Sequence, residues 1–364
     1  MIEFDDIGPE KLIQIWDSKT KLCGFLVIDN TTLGPAKGGL RITPTVTLEE
    51  IARLARIMTY KCALSELHFG GGKAGIVANI KRILPKEKFA LIRAFARAVK
   101  SLVPEEYIAG PDVSTGEADM AEFVNALKNP KAATGKPEKM GGLPHELGST
   151  GFGVAKAVQV GAEFAKISIR SAKVSVAGFG NVGQFTASYL SNLGAKIVAV
   201  SDSVGTIYNT KGLNIKELQK VKTKIGSVTK FQDGQVLQGD KIFELACDIL
   251  IPAALGGVVN SQNVGKVKAS IIVEGANLPV TADAENILFQ KGVLVVPDFV
   301  ANAGGVISSY AEYKGFVQEE MFEIVQDKIV KNTKLVLEKS RLEKIPPREA
   351  AIKIATERLK KAKK

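Results

Sequence analysis

Four residues in the first third of the chain have the types and settings that could handle an amine. Lys73 follows three glycines in "HFGGGKAGI" (68–76), and Lys37 repeats the pairing of lysine with glycine in "GPAKGGLR". Glycine lets main chain approach a ligand or another segment closely. A cation beside it is therefore either a solvated loop charge or a group pressed against a small molecule. Lys61 falls in a helical pattern whose other periodic residues are apolar, which turns it inward. Asp112, in "GPDVST", closes a short strand pattern, where sites in α/β folds collect. Three lysines and one carboxylate suit a substrate with negative charge and chemistry that involves an amine. Taken singly, each lysine also reads as a surface charge. Their common setting beside glycine-rich or apolar runs favours the functional reading.

Other chemistries lack material. His68 and His145 are the only histidines, and "HELGS" does not have the H-E-x-x-H spacing. Cys23, Cys62 and Cys247 are far apart and form no C-x-x-C pair, so neither a disulfide framework nor a zinc cluster is expected. No metal is expected, and acid–base work falls to Lys, Asp or Glu. The formal net charge of +11 is spread along the chain, densest in the last thirty residues and around 219–224. With no basic stripe interleaved with aromatics and no reading helix, nucleic acid is not an expected partner. Attraction of anionic small molecules accounts for the charge better. Apolar runs such as "DILIPAALGGVV" are broken by Pro and Gly and too short to span a bilayer. The acidic start "MIEFDDIGPE" lacks the layout of a secretory signal. No membrane partner and a cytoplasmic location are the expectations.

A second constellation straddles the middle of the chain. "KVSVAGFGNVGQFTASYLSNLGAKIVAVSD" carries Gly178, Gly180 and Gly183 as G-x-G-x-x-G around Asn181 and Val182. The triplet alone marks only a tight turn. Here a strand pattern precedes it, a helix follows, a second strand closes the unit, and Asp202 stands at its end, which fits a Rossmann βαβ unit. The helix N-terminus would face the pyrophosphate. An acidic Asp202 on a ribose hydroxyl favours NAD. Ser201, if it ends the strand, could instead accept a 2′-phosphate, so NAD and NADP both stay open.

The elements that must hold these residues alternate along the chain. "LCGFLVID", "AGIVANI" and "EYIAGPDV" read as strands. "TLEEIARLARIMTYKCALSEL" (opening on a capping-box-like Thr47 and Glu50), "PKEKFALIRAFARAVKSLV" and "GEADMAEFVNAL" read as helices. Residues 130–150 are rich in Pro, Gly and Lys without periodicity, the clearest boundary in the chain. Beyond it, "KVSVAG", "KIVAVSD", "DILIPA", "SIIVEGA" and "VLVVPD" are apolar strands between helical segments, the signature of a parallel sheet covered on both faces. The basic tail from about 319 reads as helical.

"GPAKGGLRITPTV", "MTYKCAL", "GGGKAGI", "GPDVST", "GFGNVG", "IPAAL", "EGAN" and "NAGGVISSY", in this order and with Lys73 twelve residues after Lys61, carry a resemblance over nearly the whole chain. The sequence resembles the glutamate/leucine/phenylalanine/valine dehydrogenase superfamily. The resemblance implies an α/β fold of two domains with a cleft. An α/β substrate-binding and oligomerisation domain would span 1–145, a Rossmann-like NAD(P)-binding domain 146–334, and a C-terminal helix, 335–364, would pack back on the first domain. It also implies that Lys61 holds the substrate α-carboxylate and that Lys73, at a lowered pKa, activates water against an iminium carbon. Asp112 would move protons to and from the amino group. Thr150, Asn277 and the Asn302 region would contact the nicotinamide end, Gly178 to Gly183 the pyrophosphate, and Ala253 of "IPAAL" the cofactor as well.

Side-chain choice would rest on Lys37 and Ser309, which match the positions that bind a γ-carboxylate in glutamate-specific members and are apolar in leucine-type ones. Reversible NAD(P)-dependent oxidative deamination of L-glutamate by a homo-oligomer, a hexamer by family resemblance, is the expected function. A leucine-type branched-chain dehydrogenase and a non-catalytic regulatory subunit are the alternatives. "DNTTLGPA" looks more like the leucine-type enzymes, and "PHELGST" departs from the arginine-containing segment common in glutamate enzymes.

Overall fold

Residues 2–144 and 147–363 are described by the computed structural model, and the expected boundary at residues 145 and 146 lies outside them. The chain forms two units. The first runs to Leu147 and adds Val306–Ile324 and the segment from Lys353; the second is Gly148–Gly305 with Val325–Ile352.

In the first unit β1 (Lys11–Asp17), β2 (Leu22–Asn30), β3 (Ala36–Thr43), α1 (Leu48–Leu64), β4 (Gly70–Val77), α2 (Pro85–Ala98), β5 (Tyr107–Pro111) and α3 (Glu117–Leu127) follow one another. The sheet order is β1-β2-β4-β3-β5. β1 and β4 run antiparallel to β2, while β3 is parallel to β4 and β5. Leu26, Ile28, Leu40, Ile42 and Ile76 pack with Ile92 and Phe95 of α2 and Phe123 of α3 on one face. On the other face Phe25 and Val27 meet Ile51 and Ala55 of α1. Thr47 caps α1 by accepting the Glu50 N–H at 3.2 Å, as its capping pattern predicts.

Three strands here differ from the sequence expectation, β1 among them because no strand was read over Lys11–Asp17. β3 was hidden by its glycines, and β4 begins at Gly70, so the glycine run is strand and not loop. Close packing explains β3 and β4. A Cβ on Gly71 would lie 2.1 Å from Thr59 Oγ1 of α1, and one on Gly38 would lie 1.8 Å from the Gly72 carbonyl oxygen. Glycine admits the neighbours that a side chain would expel.

The second unit opens with α4 (Ser149–Phe164), then β6 (Lys173–Ala177), α5 (Asn181–Asn192), β7 (Lys196–Ser201), β8 (Thr206–Tyr208), α6 (Ile215–Ile225), β9 (Gln235–Leu237), β10 (Ile249–Pro252), β11 (Ile271–Val273), α7 (Ala282–Gln290), β12 (Leu294–Val296) and α8 (Asp298–Ala301). Its sheet is ordered β12-β11-β10-β6-β7-β8-β9. The five strands read from sequence are parallel, and the order reverses beside β6. β8 and β9 extend the edge antiparallel, which the expectation of a parallel sheet did not include. The connection from β7 to β8 is a tight turn closed by Asp202 N–H on the Gly205 carbonyl at 2.9 Å. A link that short can only return antiparallel.

Three helices complete the chain: α9 (Gly304–Lys314), α10 (Gln318–Glu343) and α11 (Pro347–Ala362). Residues of both units occur within each of them. In the first unit Phe69 packs edge-on against Tyr310 of α9 at 5.4 Å, and Arg358 of α11 donates to the Leu64 carbonyl. Among the described residues no helix is long and apolar enough to cross a membrane.

Candidate active site

Strand periodicity brings the first constellation together. On β3, Lys37, Gly39 and Arg41 share one face, and their partners on β5 are Ile108 and Gly110, with Asp112 just beyond. A Cβ on Gly39 would sit 2.7 Å from the Asp112 Cβ, and one on Gly110 would sit 2.5 Å from Lys37 Nζ. These glycines are the spaces that Asp112 and Lys37 fill. Thr115 fixes the strand end: its hydroxyl accepts the Asp112 N–H at 2.8 Å and donates to the Leu40 carbonyl at 2.8 Å.

Lys73 Nζ lies 2.9 Å from Asp112 Oδ2, and Arg41 Nε donates to the same oxygen at 2.8 Å. Arg41 is itself held by Glu50 of α1 at 2.5 Å. Burial alone would raise the Asp112 carboxyl, but Lys73 and Arg41 outweigh it and hold it far below the usual carboxylate range. Asp112 is thus an ionised acceptor. Lys61 is also buried, 6% exposed on α1.

Lys37 is in a different state. It is 3% exposed, and its ammonium donates to the Ala109 carbonyl at 2.5 Å and the Ile108 carbonyl at 3.4 Å. Burial lowers it to about 7, with Glu312 pulling the other way. Glu312 is already engaged: it takes Lys136 Nζ at 2.5 Å and the Gly135 and Leu143 N–H groups at 2.8 Å each. Ser309, half-buried, stands one helical turn before Glu312 on α9. Its sequence position suggests the second domain. Tyr310 on Phe69 and Glu312 on Lys136 instead anchor this stretch in the first unit, with Lys37.

The second constellation collects at the carboxyl ends of β6 and β10, where the strand order reverses. Gly178 has φ of +110°, and a Cβ there would meet Ala254 at 2.6 Å and the Ala253 carbonyl carbon at 3.0 Å. A Cβ on Gly183 would strike the Gly178 carbonyl oxygen at 1.8 Å, whereas one on Gly180 would point into open space. The turn therefore leaves free approach over Gly180 to the first turn of α5, with Asn181, Val182 and Gly183 supplying N–H groups. This fits a dinucleotide pyrophosphate. A Cβ on Gly304 would lie 3.1 Å from the Thr150 Cα, and Asn302 Nδ2 donates to Asn277 Oδ1 at 3.0 Å. Thr150, Asn277 and Asn302 thus lie on neighbouring segments of one unit.

Asp202 is otherwise occupied. Its carboxylate accepts Val204 N–H at 2.9 Å, Val228 N–H at 2.8 Å, Lys222 Nζ at 2.8 Å and Ser227 Oγ at 3.3 Å. Those four donors fill the acceptor positions of a carboxylate. None is left for a ribose hydroxyl in this arrangement. Ser201 is buried, and its carbonyl accepts the Gly178 N–H at 3.1 Å. Sequence reasoning missed Arg41, Glu50, Lys136 and Glu312. Only Arg41 left a signal, at two strand repeats from Lys37.

The chain belongs to the Glu/Leu/Phe/Val dehydrogenases. Residues 141–364 match the Glutamate/Leucine/Phenylalanine/Valine dehydrogenase family, and residues 13–129 match the Glu/Leu/Phe/Val dehydrogenase dimerisation domain. The chain is 42% identical over 352 residues to the glutamate dehydrogenase of Aeropyrum pernix, covering 92% of this chain and 84% of that one. It is 40% identical to the NADP-specific glutamate dehydrogenase of Saccharolobus shibatae (84% and 75% covered) and 38% identical to the NAD-specific enzyme of Staphylococcus aureus (93% and 85%). Its fold matches the hetero-hexameric glutamate dehydrogenase of Thermus thermophilus in its Leu-bound form. The TM-score is 0.89 and the identity 30%, over 97% of this chain and 89% of that one.

Proposed function

We propose that this chain is a glutamate dehydrogenase, catalysing reversible oxidative deamination of L-glutamate to 2-oxoglutarate and ammonium with NAD or NADP. The observation that carries the reading is Lys37. A buried ammonium whose hydrogen bonds go to neutral carbonyls, with Glu312 acting on it only through space while bonded to Lys136, has no carboxylate in contact among the described residues, and a substrate γ-carboxylate would supply one. The names of the relatives support the same substrate and both cofactors.

In this reading Lys37 and Ser309 hold the γ-carboxylate and Lys61 the α-carboxylate. Asp112, kept ionised, takes a proton from the substrate ammonium. Lys73, in contact with Asp112, exchanges the proton of the water that attacks the iminium carbon. The bound dinucleotide supplies the electron acceptor. Gly178 to Gly183 would hold its pyrophosphate and Ala253 would line the cofactor site. Ser201 and the turn that Asp202 closes with its filled carboxylate would lie beside its adenosine ribose, and Thr150, Asn277 and Asn302 would hold its nicotinamide end. The first unit binds the amino acid and carries subunit contacts, and the second binds the cofactor. The enzyme is a cytoplasmic homo-oligomer, a hexamer by analogy with the Thermus assembly.

A spectrophotometric panel of amino acids against NAD+ and NADP+ tests the proposal. Glutamate should give the highest kcat/KM with at least one cofactor. Preference for leucine would move the chain to the leucine-type enzymes, and no turnover by the purified homomer would make it a regulatory subunit. Sedimentation as a monomer at micromolar concentration would refute the oligomer.

A further inference from the structure

Arg348, on α11, is remote in sequence from every residue assigned so far, yet its guanidinium joins three segments beside Asn277 and Asn302. Nε donates to both carboxylate oxygens of Glu285 on α7, at 2.9 and 2.7 Å. Nη1 donates to Asp298 Oδ1 at 2.8 Å at the start of α8, and Nη2 donates to Glu274 Oε2 at 2.6 Å just after β11. Glu274 and Asp298 are fully buried. The planar fork of arginine can serve three carboxylates at once, which the single ammonium of lysine cannot do in the same geometry.

The clamp is passed on to the amides. Asp298 Oδ2 accepts the Leu278 N–H at 2.9 Å, and the Asp298 N–H donates to Glu274 Oε2 at 2.8 Å. Leu278 has φ of +47°, a left-handed conformation that a residue with a Cβ rarely adopts, so the turn presenting Asn277 is held against its own preference. Asn302 follows α8, its N–H donating to the Asp298 carbonyl at 2.8 Å, and its side chain bonds Asn277 Oδ1 and the Gly275 and Ala276 carbonyls. Three carboxylates face one cation, and Glu274 Oε1 has no hydrogen-bond partner among the described residues. Without Arg348 the cluster would keep only the Leu278 and Asp298 N–H groups, among the described contacts, against the repulsion, and the segments that bear the two asparagines would lose their common anchor.

We infer that Arg348 is a positioning residue for the dinucleotide: by clamping Glu274, Glu285 and Asp298 it fixes the Asn277–Asn302 pair at the nicotinamide end. The inference rests on the cofactor assignment above. It is tested in the full-length enzyme with Arg348→Ala and Arg348→Lys, measuring KM for the cofactor and for glutamate together with kcat. Arg348→Ala should raise the cofactor KM about tenfold or more while the glutamate KM moves less than about threefold, and added guanidinium ion should recover part of the loss. Arg348→Lys should show the same selective rise, smaller in size, and it decides alone if Arg348→Ala does not fold. A cofactor KM within about twofold of the parent, or equal rises for both substrates, overturns the inference. Asn277→Ala run alongside separates it from its premise. A raised cofactor KM there with unchanged Arg348 variants overturns the positioning role alone, and unchanged values throughout overturn the asparagine assignment too.

Discussion

The two units face their ligands with opposite materials. The first gathers charge: Lys37, Lys61 and Lys73 are buried, and among the described residues the Lys37 ammonium hydrogen-bonds carbonyls and no carboxylate. In the second, the edge that suits a dinucleotide offers glycine, backbone N–H groups and neutral amides. The charged residues nearby are matched to one another, Asp202 to Lys222 and Arg348 to three carboxylates. In the proposed reading Lys37, which no carboxylate hydrogen-bonds among the described residues, suits a ligand's carboxylate. In that reading Lys73 and Asp112 answer each other as a proton-exchanging pair, and the ion pairs of the second unit are scaffold. Removing a cation from the first unit should therefore act on chemistry or substrate choice, and disturbing the second should act on cofactor binding.

The largest effect should follow loss of Lys73. Lys73→Ala should lower kcat by roughly 10²–10⁴ and leave the dissociation constant for NAD(P)H, read by fluorescence, nearly unchanged. Activity within tenfold of the parent would remove Lys73 from the catalytic role. Next, Gly183→Ala places a methyl group against the Gly178 carbonyl oxygen at 1.8 Å and must distort the turn. Its cofactor KM should rise about tenfold or more with little change in glutamate KM. An unchanged cofactor KM would detach this turn from the dinucleotide.

Lys37 gives the contrast a pH dependence. Its folded-state pKa, lowered by burial to about 7, lies below the unfolded value of 10.5. The unfolded chain thus binds more protons between those values, and ligand-free stability should rise with pH across that window. Glutamate binding runs the other way, because the carboxylate needs the ammonium. KM for glutamate should climb as pH passes above 7, and Lys37→Met should flatten both slopes. Parallel profiles for parent and variant would mean that Lys37 does not titrate here. The smallest effect belongs to the frame: Thr47→Ala removes the cap of α1 and should cost about 1 kcal/mol in a denaturant melt without changing either KM.

Sequence legibility follows the same division. The turn at Gly178–Gly183 was readable because backbone chemistry needs particular residues at fixed spacing, and the capped helix α1 because its apolar period is regular. β3 was not, since glycines kept for close packing mimic a loop. The hairpin after β7 was missed because a residue marking a strand end for a ribose, Asp202, marks a tight turn equally well. Lys136–Glu312 and Arg348 with Glu274, Glu285 and Asp298 join residues far apart in the chain, and no local pattern announces such pairs. Lys37, Lys61, Lys73 and Asp112 were picked out by composition and setting. Their division of labour came from family resemblance, and the contact of Lys73 with Asp112 came only from the fold.

The central claim is that the buried ammonium of Lys37 selects a substrate with a second carboxylate. The direct measurement is the ratio of kcat/KM for glutamate to that for leucine, in the parent and in Lys37→Leu with Ser309→Val. A charge-assisted hydrogen bond contributes about 1.5–3 kcal/mol and the hydroxyl about 1 kcal/mol. The parent should favour glutamate, and the double variant should lower its kcat/KM at least ~10²-fold while gaining relative activity on leucine, with Lys37→Leu alone giving most of the change. A parent that already prefers leucine, or a double variant that keeps its selectivity for glutamate, would contradict the account.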